Sequence, residues 1–255
     1  MSQPPQPPDR SPAYFDRWYA DMEHSPAKDR LEQRHLGLPA HLLSTSLLTW
    51  DGIAEVTAAL RLRADDLLLD LACGRGGYGL EIAHRTGARL VGVDFSAVAV
   101  AQAREQAVVL GRSADFRVGS LEATGLGTGS VDAAVVIDAV QFADEPARCY
   151  EELARVLRPG GRVALTCWEV VDPDDDTQPE RLRRVDLRGG LAGAGFRDVA
   201  VLERPEWRLR ERAMWEEAAA LDPGSDPALR SLRDEGRRSL PHHDQRRRVL
   251  ATATR

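Results

Sequence analysis

The run Leu67-Leu68-Leu69-Asp70-Leu71, with Gly74, Gly76, Gly77 and Gly79 directly behind it, constrains this chain more than any other feature. Five mostly apolar residues bounded by glycines are too few for a core helix. They read as a strand buried on both faces, the kind found in parallel sheets. The glycines then allow a tight turn and a close approach to a backbone. The remainder of the chain keeps the same rhythm. A helix is expected over about residues 78–85, a strand over 89–94 and a helix over 97–110. Strands at 115–118 and 131–137 come next, then a helix at 145–157. Arg158-Pro159-Gly160-Gly161 is a stop signal, and a fifth strand is expected at 162–168. Beyond the polar loop 172–179 come a helix at 180–194, a strand near 199–203, a helical stretch at 210–221 and a last strand at 247–254. Strands alternating with helices predict an α/β fold: a Rossmann-like, parallel-dominated seven-stranded sheet with helices on both faces. Its crossovers should be right-handed.

Ahead of this core, Tyr14, Phe15, Trp18, Tyr19 and Met22 recur at helical spacing. Leu42, Leu43, Leu47, Leu48, Ile53 and Val56 form a second stretch over residues 40–60, separated from the first by Gly37 and Pro39. Residues 13–60 are therefore expected to form an N-terminal helical cap on a core at 61–255 that carries a C-terminal helical insertion. Residues 1–12, rich in proline and polar side chains, are expected to be a disordered tail.

A chain of 255 residues suits one α/β domain with additions. Its formal charge of -6 gives no field that would recruit nucleic acid or an anionic membrane. No apolar run approaches the roughly 18 residues of a membrane span. The opening MSQPPQPPDRSP lacks the basic and apolar regions of a secretory signal, so a cytoplasmic enzyme is expected. Cys73, Cys149 and Cys167 have neither CxxC spacing nor paired histidines. Two of them lie in apolar strand-like runs, which suits small core residues rather than metal ligands or disulfides.

Gly74, Gly76 and Gly79 satisfy GxGxxG directly after a strand. Asp94 closes the next strand about 20 residues on, where a carboxylate can bond both hydroxyls of a ribose. The helix N-terminus behind the glycines offers free N–H groups. A dinucleotide or S-adenosylmethionine both fit this far. Asp70, in the approach to the turn, is awkward beside a pyrophosphate and suits a ligand bearing an ammonium and a sulfonium. A short-chain dehydrogenase would need a Tyr-x-x-x-Lys pair. Lys28 is the only lysine, it lies ahead of the core, and His24 stands four residues before it.

The segments LLLDLACGRG, LVGVDFS, VGSLEATGLGTGSVDAAVVIDAVQF and EELARVLRPGGRVAL together resemble the class I S-adenosylmethionine-dependent methyltransferases, over about residues 60–205. The flanking helices are similar to those of bacterial natural-product methyltransferases. The resemblance implies S-adenosyl-L-methionine as cofactor and methyl transfer to O, N or C of a small, hydrophobic molecule. It implies that Asp70, Ala72, Gly74 and Gly76 line the methionine side of the cofactor. Asp94 would hold the ribose and Phe95 would pack on the adenine. Ser120 and Leu121 would edge the adenine, and Asp138 and Ala139 would pass beneath the cofactor toward the substrate. Ala72 stands where glycine is commoner. Ser120 stands where many members carry an aspartate, and its hydroxyl can still bond the base.

Residues past the fourth and fifth strands face the substrate in such a fold. Gln141 and Glu169 are the catalytic candidates on position alone, with Glu169 or a cap histidine (His35 or His41) as base. Tyr14, Trp18, Tyr19 and Trp50 are candidates to roof the pocket. The acidic loop 172–176 reads as solvated rather than as a metal site, and no metal is expected. Arg246, Arg247 and Arg248 read as a surface cluster. The alternative function is a methyltransferase-like cyclase that keeps the cofactor and performs a ring-forming step. A non-catalytic partner that merely binds the cofactor is a third. Partners beyond a small molecule are not expected, and a homodimer is left open.

Overall fold

The computed structural model describes residues 11–22 and 25–255. Residues 1–10 of the tail expected over 1–12, and His24, lie outside the described residues, while Ser11 and Pro12 open the first helix. The strands are β1 (Leu67–Leu71), β2 (Arg89–Asp94), β3 (Asp115–Val118), β4 (Val131–Ile137), β5 (Leu157–Val170), β6 (Arg197–Glu203) and β7 (Arg246–Thr254). They form one sheet in the order β3-β2-β1-β4-β5-β7-β6. All neighbours are parallel except β7, which runs antiparallel to both β5 and β6. The strand order reverses between β1 and β4, and the crevice outside the carboxyl ends of these strands is where open α/β sheets hold ligands.

Helices cover both faces. On one lie α4 (Gly77–Thr86) and α5 (Ala97–Val109), joined by α3 (Trp50–Leu60). Their core takes Leu80, Ile82, Val100 and Ala103 against Leu68, Ala133 and Val135 of the sheet. On the other lie α6 (Pro146–Val156) and α8 (Leu187–Gly193), which bury Tyr150, Leu153 and Leu191 against Leu69, Val136 and Leu165. Because β1 and β4 are covered on both sides, they read as continuous apolar runs rather than alternating ones.

Several boundaries differ from expectation. The strand expected at 162–168 begins at Leu157, because Gly160, at φ 81°, lets the chain bulge while its N–H bonds the Arg255 carbonyl. The helix expected at 180–194 is two, α7 (Glu180–Arg183) and α8. Asp186 caps the second by accepting from Gly189 N, so its side chain competes with a continuous helix. Within 40–60 only a 3-10 turn (Ala40–Leu42) and α3 are helical. Cys149 lies in α6, within the helix expected at 145–157, and all three cysteines are buried.

The cap is completed from the other end of the chain. Helices α1 (Pro12–Asp21) and α2 (Pro26–Leu36) meet α9 (Pro205–Ala220) and α10 (Pro227–Ser239), which are inserted between β6 and β7. Helix α10 was not expected. Asp226 at its N-cap, Pro227 at its first position, and Leu229 and Leu232 on one face are the signals that mark it.

Candidate functional site

Three carboxylates stand at the carboxyl ends of neighbouring strands: Asp94 on β2, Asp70 on β1 and Asp138 just past β4. Asp70 is buried and accepts from Gly79 N at 3.0 Å. Burial pushes its carboxyl up to about 7 despite that bond, and the Asp94 charge adds to the rise. Gly79 is glycine for packing reasons, since a Cβ there would lie 2.9 Å from the Asp70 Cβ. Asp94 accepts from Gly74 N at 2.8 Å and from Ser96 N at 2.9 Å. Burial raises it to about 6 against those bonds. A pair of desolvated carboxylates held only by backbone N–H groups is costly to ionise, and it favours a ligand that brings hydrogen-bond donors or positive charge.

The turn between them is left-handed at Ala72 (φ 60°), Gly74 (φ 51°) and Gly76 (φ 79°). Glycine adopts this geometry freely; at Ala72 it costs about 1 kcal/mol. Ala72 therefore sits in a conformation that favours the residue commoner at this place in the family it resembles.

Asp138 is also left-handed, at φ 55°. Its Oδ1 accepts from Thr166 Oγ1 at 2.7 Å. Its Oδ2 accepts from Leu47 N at 3.1 Å and from Arg248 Nη2 at 2.7 Å. Arg248 is fully buried. It also donates from Nε to Glu211 Oε1 on α9 at 2.5 Å and stacks 4.3 Å over the Trp168 ring, whose Nε1 donates to the same Glu211 at 3.0 Å. Burial works against the guanidinium charge, yet Asp138 and Glu211 raise its pKa overall. The expectation that Arg246, Arg247 and Arg248 form a surface cluster is corrected by this burial. Alternation along β7 turns Arg247 to one face of the sheet and Arg248 into a buried ion network on the other.

Helix α1 lies across the crevice. Phe15 packs 5.1 Å from Phe95 and 5.8 Å from Phe142, centroid to centroid. Asp16 accepts from Ser96 Oγ at 2.5 Å. A Cβ added at Gly74 would lie 2.9 Å from Thr45 Oγ1 and 3.0 Å from Tyr19 Oη. Trp18 Nε1 donates to Ser231 of α10 at 2.9 Å. Of the expected roof aromatics, Trp18 and Tyr19 stand at the crevice, and Tyr14 packs 5.4 Å from Phe15. Trp50 lies elsewhere, with Arg85 4.2 Å over its ring at the far end of α4. Phe15 was read from the sequence only as part of a helical pattern, and Asp16 was not singled out. Their role depends on where α1 docks.

Ser120 follows β3 and is bridged to Ala123, while Gly119 N bonds the Asp94 carbonyl. That bond places Ser120 and Leu121 beside the end of β2. Ala139 is buried on the α6 face. Gln141 Nε2 donates to the Asp138 carbonyl at 2.6 Å, and its buried Oε1 has no partner among the described residues. Glu169 is not brought to this group. It faces the α8 side of the sheet, accepts from Leu187 N at 3.3 Å and pairs with Arg247 at 2.8 Å. There it lines a separate cleft of about 280 Å³ with Asp186, Arg188 and Glu203. His35 bonds Glu217 at 2.7 Å on the outside of the cap, and His41 is exposed.

A family model described as a methyltransferase domain matches residues 69–165, from β1 into β5. The sterol 24-C-methyltransferase of Saccharomyces cerevisiae is 30% identical over 144 residues, covering 54% of this chain and 38% of that one. Over residues 69–165 the chain is similar to a methyltransferase domain, in keeping with the class I S-adenosylmethionine-dependent methyltransferases that its motifs resemble. It spans between about a third and two fifths of the length of the curated relatives it matches. In fold it is similar to the geranyl diphosphate C-methyltransferase of Streptomyces coelicolor, with a TM-score of 0.67 and 18% identity over 99% of this chain and 100% of that one. It is also similar to the cyclase SpnF, with a TM-score of 0.63 and 22% identity over 80% and 79%. Among the described residues, no helix is long and apolar enough to cross a membrane.

Proposed function

We propose that this chain is an S-adenosylmethionine-dependent methyltransferase acting on a small, hydrophobic molecule. The observation that carries the reading is the pair of buried carboxylates Asp70 and Asp94 around a left-handed glycine turn. That pair of acceptors fits the cofactor: Asp94 for the ribose hydroxyls, and Asp70 with Ala72, Gly74 and Gly76 for the cationic methionine portion. Phe95, Ser120 and Leu121 would border the adenine, and Asp138, Ala139 and Gln141 the route to the substrate. When bound, the cofactor supplies a methyl group on a sulfonium whose leaving group is a neutral thioether.

The chain's own residues then align the acceptor and exclude water. Helix α1, with Phe15, Trp18 and Tyr19, supplies the apolar cover. The ion network around Arg248 fixes the Asp138 turn beneath it. Titration calorimetry with S-adenosylhomocysteine tests the reading. Micromolar binding that Asp94→Ala weakens at least 100-fold supports it, and absence of binding to folded protein overturns it. The likeness to the cyclase SpnF favours a second reading, in which the same cofactor site serves a ring-forming step. Formation of S-adenosylhomocysteine during turnover separates the two.

A further inference from the structure

One face of α1 meets the crevice side chain by side chain. Tyr19 lies four residues after Phe15 and three after Asp16, so the three share that face. Phe15 packs on Phe95, with 5.1 Å between centroids. Tyr19 is buried, and its Oη would lie 3.0 Å from a Cβ added at Gly74. Its carbonyl accepts from Gln102 Nε2 of α5 at 3.2 Å. Asp16 reaches Ser96, two residues past Asp94.

The contact at Ser96 leaves something over. Ser96 Oγ caps α5 by accepting from Ala99 N at 3.1 Å, and it donates to Asp16 Oδ1 at 2.5 Å. The same Oδ1 accepts from Val98 N at 3.3 Å. Anchoring α1 on the start of α5 therefore uses one oxygen of the carboxylate. The other, Oδ2, takes no hydrogen bond and no ion pair among the described residues, although Asp16 is half-buried.

Asp94 stands on the other side of the same serine. Its Oδ1 accepts from Ser96 N at 2.9 Å, and its Oδ2 from Gly74 N at 2.8 Å. Ser96 thus holds two carboxylates, Asp94 by its backbone and Asp16 by its hydroxyl. Burial comes first in raising the Asp94 carboxyl, and the Asp16 charge adds to it. A cis-diol carries two O–H donors on adjacent carbons. One carboxylate can take both, or two carboxylates can take one each. Both Asp94 oxygens already accept a backbone N–H, whereas Asp16 Oδ2 accepts nothing. Two carboxylates bridged by one serine suit the second arrangement, in which each hydroxyl meets its own anion and Asp16 Oδ2 gains the donor it lacks.

We infer that Asp16 is a second ribose-binding residue: Asp94 takes one hydroxyl of the cofactor's cis-diol and Asp16 Oδ2 takes the other. Helix α1 then reads the ribose as well as covering the crevice. This role rests on the proposed S-adenosylmethionine site, and the test separates the two.

Wild type and Asp16→Asn are titrated by calorimetry with S-adenosylhomocysteine and with its 2′-deoxy and 3′-deoxy analogues. Asparagine keeps a carbonyl oxygen for Ser96 and Val98 and puts an N–H2 group where Oδ2 stood. The anchor is kept and the second acceptor is lost. In wild type each deoxy analogue should bind about tenfold or more weakly than the parent, the loss expected for a hydrogen bond to a charged group. The parent should weaken by a similar factor in Asp16→Asn. The analogue that lacks the hydroxyl held by Asp16 should bind variant and wild type within about twofold of each other, while the other analogue weakens as the parent does. Unchanged affinity for S-adenosylhomocysteine in Asp16→Asn overturns this inference. So does an equal loss for all three ligands, which is the result of an anchoring role alone, and so does the absence of a deoxy penalty in wild type. Failure of folded wild type to bind S-adenosylhomocysteine overturns the cofactor reading instead.

Discussion

Arg248 Nη2 on β7 donates to Asp138 Oδ2, past the end of β4, at 2.7 Å, and its reach spans the intervening strand β5. The same guanidinium holds Glu211 of α9, and the same aspartate accepts Leu47 N from the cap. One buried cation thus ties the floor of the crevice to both halves of its roof.

Removing that cation should be severe. Arg248→Met leaves Asp138 and Glu211 buried without their partner, a class of change that costs about 3–5 kcal/mol. Urea unfolding of the single variant should show a loss of that size. The triple variant with Asp138→Asn and Glu211→Gln should recover part of it, because no uncompensated charge remains. A single variant as stable as wild type would show that the network does not hold the roof to the floor.

Cofactor affinity should depend on pH with a definite sign. Burial raises Asp70 to about 7 and Asp94 to about 6, so both are largely protonated in the ligand-free protein at acid pH. A ligand with an ammonium group prefers the ionised forms. Affinity for sinefungin should therefore rise from pH 5.5 to about 7 and then level, approaching a tenfold gain per unit on the steep part. The stability linkage runs the opposite way. A carboxyl whose folded pKa lies above its unfolded value binds more protons when folded, so its contribution is full below about 4 and lost as pH rises through about 7. Asp70→Asn should thus gain stability relative to wild type as pH rises over that range. Calorimetry and thermal melts across the pH series check both.

Gly77→Ala should damage the junction between cap and core. A Cβ at this position would collide with the Leu42 backbone carbonyl, which cannot rotate away as a side chain would. A loss of about 2 kcal/mol or more is expected by chemical denaturation. An unchanged midpoint would mean that the residue 40–42 turn does not press on α4.

Glu169→Gln distinguishes the face of the sheet that carries the chemistry. Glu169 is paired with Arg247 on the α8 side, and half of that pair is exposed, so a stability loss of about 1 kcal/mol or less is expected. Affinity for S-adenosylhomocysteine should not change. A large loss of turnover in this variant would return the base assignment to Glu169 and move the substrate to the cleft it lines.

Ala72→Gly should stabilise the ligand-free chain, by up to about 1 kcal/mol, through relief of the left-handed alanine. The opposing cost is the extra freedom that glycine has in the unfolded chain. A clear destabilisation would show that the alanine methyl contributes packing that outweighs its strain.

The sheet and the glycine turn are legible in the order of the residues alone. Apolar runs of β1, β2 and β4 are buried on both faces, so their composition alone marks them. Left-handed turns require glycine at Gly74 and Gly76, so local chemistry is legible there as well. Tertiary structure decided the rest. Whether Arg248 faces water or Asp138 depends on β7 lying between β5 and β6, a pairing that no local pattern encodes. Trp18 and Ser231 are far apart in the chain, and the signals near them are those of ordinary amphipathic helices. Only the docking of α1 against α10 brings them within hydrogen-bond reach. Glu169 shows the same limit from the other side. Its place near the end of β5 was legible, but a strand's side chains alternate between faces, and which face carries the site is set by the helices that pack there.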